Sequence, residues 1–222
     1  MNVVAAALAS LLSGSPPPQP PAAPTRSAAM FREGEAHLRD LERRIAADSS
    51  DTDLRRDRLR TLYFLSVADG KWLASATREL GRLAREGSVG PDLRDAYHGA
   101  FDVVRAKHAL WPPSKLDFLK AAEPRLDSAA RRAPDDVEVR YLRLMSCYYL
   151  PFFFGRAWSV KEDFDALARL LPGAVDAVPP GLHARIVEFV LGNHKTLAAA
   201  DRIRLETSLR ISRSRSERSA GT

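Results

Sequence analysis

Apolar side chains recur along this chain at intervals of three and four, and that spacing persists from about residue 27 almost to the end. Such a period places one apolar stripe on each helix. Leu38, Leu41 and Ile45 make a first stripe. Leu59, Leu62, Leu65 and Ala68 make a second, opening near Asp51. Trp72, Leu73, Ala76, Leu80 and Leu83 make a third. Leu93, Tyr97, Ala100, Phe101 and Val104 make a fourth, opened by Gly90-Pro91. No segment alternates with period two over a useful length, so no sheet is expected.

Proline and glycine divide the rest. Trp111-Pro112-Pro113 ends the fourth helix. Ser114 and Asp117 then predict a capped start for a fifth, lined by Leu119, Ala122, Leu126, Ala129 and Ala133, with Pro124 inside it. Pro134-Asp135-Asp136 opens a sixth (Val139, Leu142, Met145, Tyr149), and Pro151 stops it. Ser159 and Glu162 predict a capping box for a seventh (Phe164, Leu167, Leu171). Pro179-Pro180 opens an eighth (Leu182, Ile186, Phe189, Val190), ended by Gly192-Asn193; Leu197, Ile203 and Leu209 mark a ninth. The fold class expected is all-α: about nine helices in stacked antiparallel hairpins.

Three regions follow. Residues 1–26 hold an apolar run, Val3 to Leu12, and a proline-rich linker, Pro16 to Pro24. The run has the length of a signal-peptide core but no preceding Lys or Arg, so export and cytoplasmic retention both stay open. It is too short to cross a bilayer. Residues 27–210 form the helical domain. Residues 211–222, rich in Arg and Ser, are expected to be disordered.

One segment resembles a known family. Ala122, Leu126, Ala129 and Pro134 stand at the spacing that marks the second helix and closing turn of a tetratricopeptide repeat. Asp135-Asp136-Val137-Glu138 looks like the opening of a next repeat, with Tyr141, Leu144 and Tyr148 near its bulky positions. The likeness covers residues 122–149. It departs where Trp111-Pro112-Pro113 separates the preceding helix, where Leu144-Met145 replaces Leu-Gly, and in lacking a 34-residue period. It implies tetratricopeptide-like packing in degenerate repeats and a protein- or peptide-binding role.

Charge adds little to this. The net charge is +6, but 34 basic residues are interleaved with 28 acidic ones, so a nucleic-acid role is the alternative rather than the main reading. The single cysteine, Cys147, excludes an intrachain disulfide and a multi-cysteine zinc site. The five histidines are scattered, and no phosphate loop, metal motif or nucleophile elbow occurs. No catalytic residue, metal or cofactor is therefore expected. An exported ligand-binding protein or enzyme of unidentified chemistry is a further alternative. Glu162-Asp163 is expected to serve the dipole at a helix start.

The most unusual stretch runs from Tyr141 to Phe164, where aromatic residues crowd around Pro151 and Gly155. Aromatic rings beside arginines are the usual composition of binding hot spots. The candidate binding residues are Arg140, Arg143, Tyr148, Phe152, Phe153, Phe154, Arg156 and Trp158. Most of the rings are expected to be buried in a corner between two helices, with one left at its edge.

Overall fold

The computed structural model describes residues 26–220. Nearly all of the leader and proline linker therefore lies outside the described residues. Those described form nine α-helices and no strand, an all-α fold: α1 (Arg26–Ala47), α2 (Thr52–Ala68), α3 (Leu73–Arg85), α4 (Pro91–His108), α5 (Pro112–Arg132), α6 (Val137–Tyr148), α7 (Ala157–Leu170), α8 (Pro180–Asn193) and α9 (Ala199–Ala220). No helix among them is long and apolar enough to cross a membrane. The chain divides into two compact units, residues 1–128 and 129–222, and the division falls within α5.

In the first unit α2 packs on both α1 and α3, and α3 packs on α4. Their stripes meet as expected: Leu38, Leu41, Leu59, Leu62, Leu65, Ala76, Leu80, Leu83, Ala100 and Phe101 are all buried. Asp51 caps α2 by accepting from the backbone N–H groups of Asp53 and Leu54. Arg58 joins three helices, donating to Glu79 of α3 at 2.5 Å and to Glu42 of α1 at 3.2 Å. At Gly99 helices α4 and α5 approach closely. A Cβ there would lie 2.7 Å from Leu126 Cγ and 3.1 Å from the Ala122 carbonyl oxygen, so only glycine fits without displacement.

α5 differs from expectation at its start. It starts at Pro112, not at a Ser114 cap, because proline suits the first turn, where the N–H has no helical partner. It also runs through Pro124. Pro124 and Lys120 are both exposed, so the carbonyl that loses its helical donor can bond to water.

In the second unit α6 packs on α7, and α8 on α9. The core holds Val137, Leu144, Phe164, Leu167, Leu171, Ile186, Val187, Val190 and Leu205. Asp136 caps α6. The Ser159–Glu162 capping box does not form. α7 begins at Ala157, and Ser159 is buried inside it, donating to the Arg156 carbonyl at 2.9 Å.

The Arg/Ser segment is helical, correcting the expectation of a disordered tail from residue 211. α9 continues to Ala220, because its polar side chains find partners. Ser212 is fully buried and lies 2.7 Å from His183 Nδ1. Arg213 pairs with Glu188 at 2.8 Å, and Arg215 with Asp176 at 2.9 Å. Ile203, expected on the buried stripe, is exposed; Leu205, Ser208 and Ser212 take that stripe instead. Two of the three are serines, which is why hydropathy hid it.

Candidate functional site

The sequence points to the α6–α7 hairpin, and its geometry separates the candidate residues into two groups. Arg140 and Arg143 lie one turn apart on α6 and face Glu162 and Asp163 on α7. Arg143 Nε donates to Asp163 Oδ2 at 2.8 Å, and Nη2 to Asp163 Oδ1 at 2.7 Å. Arg140 Nη1 reaches the same Oδ1 at 3.1 Å and Glu162 Oε1 at 2.9 Å. Arg143 Nη2 also donates to Glu162 Oε2 at 2.6 Å. Arg143 and Asp163 are essentially without solvent contact.

Burial opposes both charges. It pushes the Asp163 carboxyl up against the pull of Arg143 and Arg140. Acting alone it would lower the Arg143 guanidinium, but Asp163 and Glu162 override it and hold that group above its ordinary value. With three guanidinium N–H donors on one carboxylate, we take the pair as ionised. Glu162, half in water, is held below its ordinary value because the two arginines outweigh its partial burial.

Arg140 and Arg143 are therefore interior struts of the hairpin and are not available to a partner. The reading of Glu162-Asp163 as a dipole pair at a helix start is likewise corrected. Both lie beyond the first turn of α7, and they form the anionic half of this network. Sequence reasoning missed the link because Arg140, Arg143, Glu162 and Asp163 look like ordinary surface charge.

Trp158 covers the network. Its indole stacks at 5.0 Å from the Arg156 guanidinium carbon and 5.6 Å from that of Arg143. Arg156 is buried beneath it, while Trp158 itself is 54% exposed. Cys147 is buried nearby, and burial pushes its thiol up, which suits an inert core residue.

The connector is a single 3-10 turn, Phe152–Phe154, closed by Gly155 in the left-handed conformation at φ +65°. Phe152 is 92% exposed and Phe153 64%; Phe154 is half-buried. The expectation that most of these rings are buried is overturned for this run. Six residues from Pro151 to Arg156 leave no length to fold two adjacent rings back, so they project. Tyr149, half-exposed beyond the end of α6, adds to the patch; it was read as part of the α6 stripe.

Tyr148 is different. It is half-buried, stacks edge-on to Tyr149, Phe164 and Phe189, and donates its hydroxyl to Asn193 Oδ1 at 3.0 Å. It fixes the end of α6 to the end of α8. The site is thus an aromatic tip, Phe152 and Phe153 packed with Phe154, on a hairpin whose helices are joined by buried charge pairs, with Trp158 and Tyr149 exposed at the helix ends beside it. No carboxylate occurs in the sequence between Glu138 and Glu162, so the tip carries no acid of its own. Among the described residues no group of three or more His, Cys, Asp or Glu comes together to hold a metal. Comparison with protein-family models, with curated proteins and with solved structures found no match to this chain.

Proposed function

We propose that this protein is a non-enzymatic scaffold that binds a protein or peptide partner through the aromatic tip of the α6–α7 hairpin. The observation that carries the reading is the exposure of Phe152 and Phe153 on the short connector between α6 and α7. Two adjacent phenylalanines in water are costly to solubility and contribute little to folding. Large exposed apolar patches on soluble proteins mark interaction sites. The frame adds preorganisation. The Tyr148–Asn193 hydrogen bond and the Arg143–Asp163 pair hold the helices on either side of the tip, which limits the ordering lost on binding. The partner should offer an apolar pocket for one or two rings; the arginines first grouped with them take no direct part.

Tetratricopeptide-like packing belongs to the same proposal. It rests on the spacing of Ala122, Leu126, Ala129 and Pro134 in the sequence.

Panning a displayed peptide library against the full chain tests the binding role. Peptides recovered by the wild type should be lost by Phe152→Ser/Phe153→Ser, with helical circular dichroism unchanged. Peptides retained undiminished by that variant would remove the tip from the binding surface.

A further inference from the structure

A second apolar protrusion lies in the first unit, at the corner where α4 ends and α5 begins. Leu110 is 98% exposed, Trp111 67% and Leu116 47%. Leu110 stands clear of every neighbour, so the corner is a protrusion and not a groove. It is also held firmly. Lys107 Nζ donates to the Val67 carbonyl at 2.5 Å, and His108 Nε2 lies 2.9 Å from the Ser66 carbonyl. These contacts clamp the end of α4 to the end of α2, and Pro112-Pro113 stiffen the start of α5.

Lysines outnumber acids on the first turns of α5. From Arg105 to Lys120 the chain carries Arg105, Lys107, Lys115 and Lys120 against the single acid Asp117. Arg105 is taken up by Asp102 at 2.6 Å. Lys115 and Lys120 flank Leu116 on the first turns of α5.

We propose that this corner docks onto an anionic lipid surface, with Leu110, Trp111 and Leu116 entering the interface and Lys115 and Lys120 lying against the headgroups. Three features select this occupant. Tryptophan partitions to the boundary between headgroups and acyl chains. A bilayer interface closes around a protrusion, whereas a protein partner would need a matching cavity. Lysines beside the apolar residues supply attraction to negative headgroups, and their long stems reach past apolar surface. The contact is shallow and peripheral, since no described helix is long and apolar enough to span. It is independent of the aromatic tip.

The test is co-sedimentation of the full chain with phosphatidylcholine vesicles, with and without phosphatidylglycerol. Binding should require the anionic lipid and weaken with added salt. Leu110→Ser/Trp111→Ser should abolish it. Lys115→Ser and Lys120→Ser should each weaken it about five-fold. Phe152→Ser/Phe153→Ser should leave it unchanged, which separates this site from the proposed protein-binding tip. Failure to bind anionic vesicles, equal binding by the Leu110/Trp111 variant, or binding to a single-stranded oligonucleotide in place of vesicles would each overturn the proposal.

Discussion

His183 Nδ1 lies 2.7 Å from Ser212 Oγ, while its Nε2 lies 2.8 Å from the Leu171 carbonyl. Both side chains are fully buried. The Leu171 carbonyl can only accept, so Nε2 carries the proton and Nδ1 accepts from the serine hydroxyl. Residues 29 positions apart are thereby joined, and the Arg/Ser end of α9 is docked on α8.

Ser212→Ala removes that donor and leaves a buried imidazole nitrogen unsatisfied. It should lower stability by about 1–3 kcal/mol. Amide exchange should rise first beyond Leu209. An unchanged exchange rate there would mean that the helix is held by its surface pairs alone, Arg213–Glu188 and Arg215–Asp176.

The same environment sets a pH dependence. Burial lowers the His183 pKa below 6.5, outweighing the raising effect of its bond to Leu171, and the Arg215 charge lowers it further. The folded protein thus resists a proton that the unfolded chain accepts. Stability is fully present above about pH 6.5 and falls as pH drops below it. His98, lowered chiefly by burial with help from Arg125 and Arg94, adds to the same trend. Urea midpoints should decline between pH 7.5 and 5, and less steeply in His183→Gln.

The ion network predicts an asymmetry between single and double variants. Asp163→Leu leaves the Arg143 guanidinium buried and poorly compensated, a loss of about 3–5 kcal/mol. Adding Arg143→Met should recover much of it, since a packed apolar pair often matches a buried ion pair. A double variant as unstable as the single one would show that Arg140 and Glu162 depend on Asp163 for their own placement.

Gly99→Ala should cost about 1–3 kcal/mol, because its methyl would press on Leu126 and on the Ala122 backbone. Leu126→Ala opens space on one side only. The two changes together should therefore fall short of additivity in a thermal double-mutant cycle, with a coupling of about 0.5 kcal/mol or more.

Much of the fold was legible because burial and hydropathy coincide in it. Leu59, Leu62 and Leu65 are apolar, evenly spaced and buried, and Asp51 and Asp136 cap helices as their side-chain chemistry dictates. Legibility failed where polar groups are buried. Arg143, Asp163, His183, Ser159 and Ser212 are interior, but each depends on a partner 3 to 29 residues away. A one-dimensional pattern does not reveal such partners. At the α6–α7 hairpin the sequence showed the aromatic crowding but not which side chains are interior. Crowded aromatics located the hairpin, but composition alone does not tell a strut such as Arg143 from a presented ring such as Phe152.

The construction of the tip bears on how the proposed binding specificity can change over generations. Phe152 and Phe153 face mostly water, Phe153 also packing against the Phe154 ring at 4.9 Å. What shapes the turn is the positive φ of Gly155 and the contacts of Tyr148 and Asp163 behind it. Substitutions of an exposed ring typically shift stability by no more than about 0.5 kcal/mol. The two presented positions can therefore be rewritten one mutation at a time while the frame persists. Divergent copies of this chain could change the proposed contact without first acquiring stabilising changes elsewhere.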